Sequence, residues 1–161
     1  MAFGRNLKSS EMKHLQRLDP LLFDMLEQAD GARLRQACVL SCEFAVALNE
    51  PFESLVVDAL ESLRQRQLYR SGVIDQLDDL MNFLDDKYFD LKERAEEAGS
   101  DQEQMIKQYD EYFRKARTVA ALRYAADQDP FEAATETIYE AAASAPDNRV
   151  LFDSLKKLLA S

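Results

Sequence analysis

Few residues in this 161-residue chain have the types and spacing that chemistry at a protein site requires. The one histidine, His14, lies in a short polar helix predicted near the start, where we expect it to face solvent. Cys38 and Cys42 are one helical turn apart, and we expect two buried free thiols there, not a disulfide or a metal site. No glycine-rich phosphate loop and no nucleophile elbow occurs. The sequence therefore favours a protein that is not an enzyme, without catalytic residues or cofactors.

One pair of acids has a spacing known from metal-dependent enzymes. Glu93 and Glu96 form a Glu-x-x-Glu unit that resembles the motif of the all-helical nucleotide pyrophosphohydrolases, which bind Mg²⁺ through carboxylates. That motif needs a partner Glu-x-x-Asp on the next helix, and the segment after Glu103 has none. In a chain with 30 acidic residues, a single such spacing is expected by chance. No metal site is predicted.

The acidic residues are concentrated in one part of the chain. Residues 75–111 contain thirteen acidic and four basic side chains, whereas the segments on either side are nearly balanced, so residues 75–111 carry most of the formal net charge of −10. An acidic run on a helix is usually a solvated face. The functional interpretation is a surface that binds a basic partner. The candidate partner-binding residues are Asp75, Asp79, Asp86, Asp90, Glu93 and Glu97.

The same segment is predicted to form two long helices. Apolar residues recur at alternating intervals of three and four across residues 74–98, which is the seam pattern of a helix packed against a partner helix. Gly99 favours a stop, and Ser100 with Glu103 has capping-box spacing, so a second helix is predicted over residues 101–126. Because the connection is short, we expect a central antiparallel hairpin, 74–98 with 101–126, on which the fold is built.

Shorter helices are predicted on both sides of this hairpin. Asp19-Pro20 and Asp129-Pro130 each combine an N-cap acid with a proline at the first helical position. One helix is predicted over residues 51–70, and another over residues 130–143, whose outer side carries three glutamates one turn apart. These are Glu132, Glu136 and Glu140.

Residues 47–53 and 126–132 resemble each other, with proline, phenylalanine and glutamate at matching places. A duplicated helix-turn-helix unit would explain the similarity. Convergence on one capping sequence would also explain it, and two copies are fewer than a repeat array needs. We favour convergence.

The overall composition indicates a helical protein. Glycine and proline are scarce, at four each, and no run of alternating β-branched residues lies between turn dipeptides. The predicted fold is all-α: a single domain over residues 1–161, arranged as an antiparallel helical bundle of about six or seven helices built on the hairpin. Residues 1–8 are expected to be frayed.

The acidic balance limits the partners that this chain can have. Nucleic acids and anionic membranes are bound by basic surfaces, so neither is expected at a sequence pI of about 4.6. No apolar run approaches membrane-spanning length and no leader opens the chain, which predicts a cytoplasmic protein. The leading hypothesis is a non-catalytic protein–protein interaction module that binds a basic protein. The small acidic helical format, with its alanine-rich acid-Pro-Phe-Glu stretch, resembles bacterial immunity and regulatory proteins, which implies an immunity- or antitoxin-like inhibitor or a regulatory adaptor.

Two other hypotheses remain open at this point. A helical enzyme, or a protein that binds a small molecule or metal in a pocket between helices, would use the tyrosines that share one predicted helix, Tyr109, Tyr112 and Tyr124. A homodimer would use the apolar residues that lie off the main seam. These are Leu80, Phe83 and Phe89, which must otherwise be covered by other helices.

Overall fold

The computed structural model describes residues 13–98 and 102–161, and their regular structure is entirely helical. The all-α fold class is therefore confirmed. Eight helices are described, one or two more than the sequence indicated. They are α1 (His14–Leu18), α2 (Pro20–Gln28), α3 (Gly31–Asn49), α4 (Ser54–Arg64), α5 (Val73–Ala98), α6 (Gln102–Tyr124), α7 (Pro130–Ala143) and α8 (Arg149–Ala160). The expected fraying of residues 1–8 lies outside the described residues.

Acidic caps fix the starts of three helices. The carboxylates of Asp19 and Asp129 each accept a hydrogen bond from a main-chain amide of the first turn, at 3.0 and 3.1 Å. Pro20 and Pro130 occupy the first helical positions, where the missing N–H costs nothing. Asp30 caps α3 in the same way, at 2.8 Å. Both predicted Asp-Pro starts are confirmed.

The two similar segments, residues 47–53 and 126–132, differ in local structure. Pro130 is the first residue of α7, whereas α4 begins only at Ser54, three residues after Pro51. The two similar segments therefore do not begin a helix at the same position.

The helix predicted over residues 51–70 is shorter, and that boundary was wrong. α4 ends at Arg64, and Arg66 has a φ of 57°. The amides of Arg66 and Gln67 donate to the carbonyls of Leu63 and Ser62, at 3.1 and 2.9 Å, which is the paired bonding of a Schellman C-cap. Glycine usually occupies the position with the left-handed backbone conformation in this cap. Because an arginine stands there, the sequence gives no signal that the helix ends.

The core lies among α2, α3, the C-terminal half of α6, α7 and α8. Helix α7 is the most enclosed, with nine of its fourteen residues buried. Helix α5 contributes only Leu77 and Leu84 to the continuous core cluster of the described residues. No helix in the described ranges has the length and apolarity needed to cross a bilayer. The large side chains without exposure include Phe23, Leu34, Leu122, Phe131, Ile138, Leu151 and Leu155.

Alanines allow α6 and α7 to approach each other closely. The Thr137 hydroxyl of α7 donates a hydrogen bond to the Ala121 carbonyl of α6 at 3.1 Å, across the contact between the two helices. Side chains of this size leave no space for a larger residue, because protein interiors are close-packed. The fully or almost fully buried alanines of the two helices are Ala116, Ala120, Ala121, Ala133, Ala134, Ala141 and Ala142.

Helices α5 and α6 lie side by side and antiparallel. Asp78, near the start of α5, pairs with Arg123, near the end of α6, at 2.9 Å. Further along, the Tyr88 ring meets the Tyr109 ring edge-on, with 5.6 Å between centroids. The connection between the helices, residues 99–101, lies outside the described residues.

Cys38 and Cys42 are both free and buried, as the sequence predicted. Burial raises the pKa of Cys38 to about 12 and also raises the pKa of Cys42, because a thiolate is poorly solvated in the core. Both thiols therefore stay protonated at neutral pH, which makes them poor nucleophiles.

The cap at the end of α4 can be tested by substitution. Arg66→Gly should raise the free energy of unfolding by about 1 kcal/mol, because glycine adopts a left-handed conformation without the strain that a Cβ imposes. Gln65→Gly, at the neighbouring residue, should lower the free energy of unfolding. Gln65 has a φ of −88°, so glycine relieves no strain there and only increases the entropy of the unfolded chain. Urea unfolding of both variants gives the comparison, and an Arg66→Gly protein less stable than wild type would contradict the assignment of the cap.

Candidate functional site

The six acids singled out from the sequence are all exposed on one side of α5. At 3.6 residues per turn they fall within about 60° of the helix circumference. They lie roughly opposite Leu77 and Leu84, which face the core. We call this surface the outer face of α5. It is formed by Asp75, Asp79, Asp86, Asp90, Glu93 and Glu97.

The acids of α5 form two groups: some pair with arginines of α6, and the others are exposed to solvent. Asp78 and Asp85, at the border with α6, are partly buried and pair with arginines of that helix. On the outer face only Asp90 has a cation nearby, Arg94, one turn on at 3.2 Å. The other five acids of the outer face have no Lys, Arg or His within salt-bridge distance among the described residues. Their charge is therefore not used to hold the described fold together.

Two phenylalanines flank this acidic surface. Phe83 is 53% exposed and Phe89 is 62% exposed, on opposite borders of the outer face. Lys87 lies over the Phe83 ring, with its Nζ 5.5 Å from the centroid. Leu80, the third residue considered for a second apolar side, instead packs against the core cluster. The outer face thus combines carboxylates with aromatic rings that no described helix covers.

At the border between α5 and α6, a partly buried charged cluster joins three helices. The Arg117 guanidinium of α6 donates two hydrogen bonds to the Asp85 carboxylate of α5, at 3.0 and 3.1 Å. Its other terminal nitrogen donates to Glu140 of α7 at 3.1 Å. The Arg117 Nε is buried without a hydrogen-bond partner among the described residues. We call these three residues the Arg117 cluster.

Sequence reasoning missed this cluster and misplaced part of it. Glu140, predicted on the outer side of α7, is only 7% exposed, and Glu132 and Glu136 turn toward α1, where Lys13 Nζ lies 2.5 and 3.1 Å from their carboxylates. Acids spaced one turn apart occur both on solvated helix faces and on faces that pair with buried cations, so their spacing alone did not show which of these α7 presents. The signal that was available is the predicted antiparallel hairpin of 74–98 with 101–126: when residues are counted outward from its turn, Asp85 of the first helix comes opposite residues next to Arg117 of the second.

Burial also alters the acidity of Glu140. The loss of hydration raises the pKa of its carboxyl above the usual value, and the attraction of Arg117 opposes this effect without cancelling it. The ionised form is therefore held in the fold at a cost in free energy.

A second buried polar group connects α3 to α6 and to the end of α7. The Asn49 side-chain amide of α3 donates to the Thr118 hydroxyl of α6 and the Ser144 carbonyl after α7, each at 3.2 Å. Such bonds satisfy a group that would be costly to bury alone.

The other candidates for chemistry stay apart from one another. His14 is exposed, as expected, and its ring stacks on Tyr139 with 4.9 Å between centroids. No group of three or more metal-ligating side chains occurs within the described ranges.

Two clefts on the described surface bear on the candidate sites. One, of about 590 Å³, lies beside the α4–α5 connection, and the other, of about 430 Å³, is a shallow depression along α5. The shallow one contains Glu93 and Glu96, with Phe89, Asp90 and Lys92. Neither cleft is lined by the tyrosines of α6 considered for a ligand pocket.

No protein-family model matches the chain, and no curated protein or solved structure is significantly similar to it.

Arg117 should be the least replaceable charged residue of the fold. Arg117→Ala leaves the buried carboxylate of Glu140 and the partly buried carboxylate of Asp85 without their cation, and we expect a loss of about 3 kcal/mol in unfolding free energy at neutral pH. Arg114→Ala is the matched control on the same helix, since Arg114 pairs with the more exposed Asp110, and it should cost about 1 kcal/mol or less. If urea unfolding gave the same loss of free energy for both variants, the Arg117 cluster would not be the contact that holds α5, α6 and α7 together.

Glu140 predicts a specific pH dependence. A carboxyl whose pKa is higher in the fold than in the unfolded chain stabilises the fold below its usual pKa, and this contribution is lost as pH rises through the folded value. Glu140→Gln should therefore be at least as stable as wild type at pH 7, with the difference vanishing by about pH 4. Glu111→Gln, at an exposed position of α6, should follow wild type throughout. A Glu140→Gln protein that is less stable at pH 7 would contradict the direction of the shift.

Proposed function

We propose that this chain is a non-catalytic protein–protein interaction module that binds a basic partner protein through the outer face of α5. The observation that carries the proposal is the set of carboxylates without counter-cations in the described fold, next to two exposed phenylalanine rings. Exposed acids alone are common on helices. Large exposed aromatic side chains beside them point to a protein interface, because interfaces are enriched in aromatic residues and a few buried anchors carry most of the binding energy.

The mechanism has two parts. The acids extend over about 33 Å of helix at 1.5 Å per residue, so they present one continuous negative surface to an approaching cation. This accelerates encounter and orients the partner. Phe83 and Phe89 then bury apolar area against the partner and slow its dissociation.

A role of this kind fits an immunity- or antitoxin-like inhibitor that covers a cationic enzyme, or a regulatory adaptor. In both cases the acidic face acts by occupying the partner's basic surface. The two buried protonated thiols are consistent with the reducing conditions of the cytoplasm, where we place the protein.

The test compares two charge-reversed proteins with the same net charge. The face-reversed variant carries Asp79→Lys, Asp86→Lys and Glu93→Lys, three acids that lie seven residues apart on the outer face. The control carries Asp24→Lys, Asp58→Lys and Asp153→Lys, which are exposed on α2, α4 and α8. Each protein is immobilised and exposed to lysate of the source cells at low salt, and a protein retained by wild type and by the control is purified.

The rate at which the purified partner associates with each variant is then measured at several salt concentrations. Face reversal should slow its association by about tenfold or more at low salt and flatten the dependence of the rate on ionic strength, whereas the control should keep both. A partner that associates equally fast with both variants would refute the proposed function.

A further inference from the structure

The segment between α4 and α5 holds one leucine almost entirely in solvent. Residues 66–70, which we call the Leu68 loop, begin at the Schellman cap and have no regular secondary structure after it. The Tyr69 hydroxyl donates to the Leu122 carbonyl at 2.6 Å, whereas the neighbouring Leu68 side chain is 94% exposed.

The Leu68 loop is fixed at both ends. The Gln67 amide is bonded to the Ser62 carbonyl on one side, and the Tyr69 hydroxyl anchors the other. The exposed leucine is therefore presented on an ordered backbone, and little conformational entropy would be lost if another molecule covered it.

The charge of this loop is opposite to that of the chain. Arg66 and Arg70 are exposed on either side of Leu68, and neither has an acidic partner within salt-bridge distance among the described residues. Arg66 also keeps its left-handed backbone where glycine would be less strained. An apolar side chain between two unpaired cations matches the outer face of α5, which places apolar rings beside unpaired carboxylates.

We propose that the Leu68 loop of one copy of this chain docks on the outer face of α5 in a second copy. Within one copy the contact cannot form, because the loop is bonded to its own body and leads directly into the first turn of α5. Leu68 would lie between the Phe83 and Phe89 rings, with Arg66 and Arg70 close to the acids beside them. Each copy then offers one loop and one face, so the contact is heterologous and can be repeated from copy to copy.

This proposal shares a surface with the proposed function but names a different occupant, and it does not depend on a basic partner protein. A second copy would occupy the outer face until a more strongly basic protein displaced it. The two ideas can therefore fail separately.

The test uses two variants that should each be unable to self-associate. The loop-reversed variant, Arg66→Glu with Arg70→Glu, keeps an intact outer face. The face-reversed variant described above keeps an intact loop. Sedimentation velocity of wild type over a concentration series should show a mass that rises above the 18.4 kDa monomer, and either variant alone should stay monomeric.

Mixing the two variants is the decisive step. In the mixture every loop meets a face of opposite charge, because the intact loop fits the intact face and the reversed loop fits the reversed face, so an assembly in which the two variants alternate should form and its mass should exceed that of the monomer. Leu68→Ser should weaken wild-type self-association by about tenfold or more, as for loss of a buried anchor side chain, whereas Leu21→Ser, at a leucine that is 60% exposed on α2, should not. Circular dichroism checks that all variants are folded.

Three results would overturn the proposal. The first is a wild-type chain that stays monomeric up to about 1 mM. The second is a loop-reversed, face-reversed or Leu68→Ser variant that self-associates as wild type does, and the third is an equimolar mixture of the two reversed variants that remains monomeric. If any of these occurs while face reversal still slows association of the purified basic partner, the docking of a second copy is wrong and the proposed function is unaffected.

Discussion

The arrangement of this fold depends on one guanidinium. Arg117 reaches from α6 to a carboxylate on α5 and to another on α7, so a single side chain fixes the positions of three helices relative to one another. Loss of the guanidinium is costly, because both carboxylates then lose their cation and Glu140 has little water to replace it. The pairing also requires Asp85 to lie at the border with α6. Leu77 and Leu84 then face the core, and the outer face, on the opposite side of α5, faces solvent.

That constraint divides the charges of α5 into two groups. Carboxylates at the border with α6 are neutralised by arginines, and those on the outer face are left to the solvent. A helix whose apolar side is packed and whose polar side has no internal partner can lose or change its outer charges without disturbing the core. The proposed contacts, with a basic protein or with another copy, both use this unengaged side. Neither requires the body to change its shape.

The parts of the structure that could be predicted from sequence are those determined by neighbouring residues. The starts at Asp19-Pro20 and Asp129-Pro130 depend on a side chain and an amide two or three residues away, and the exposure of the outer face follows from the apolar seam opposite it. The end of α4 was misjudged because Arg66 adopts a backbone conformation that its residue type does not favour. Glu140 was misplaced because its burial depends on Arg117, which belongs to another helix. The exposure of the two phenylalanines could not be decided, since it depends on whether any distant element covers them.

The alanine-lined contact between α6 and α7 has a consequence for how this chain can change over generations. Many buried positions of these two helices hold alanine, so most replacements there are either too large for the space or less favourable to a helix. The exposed acids of α5 have no such restriction, because no packed neighbour surrounds them. Mutations that the fold tolerates should therefore be far more frequent on the outer face of α5 than in α7.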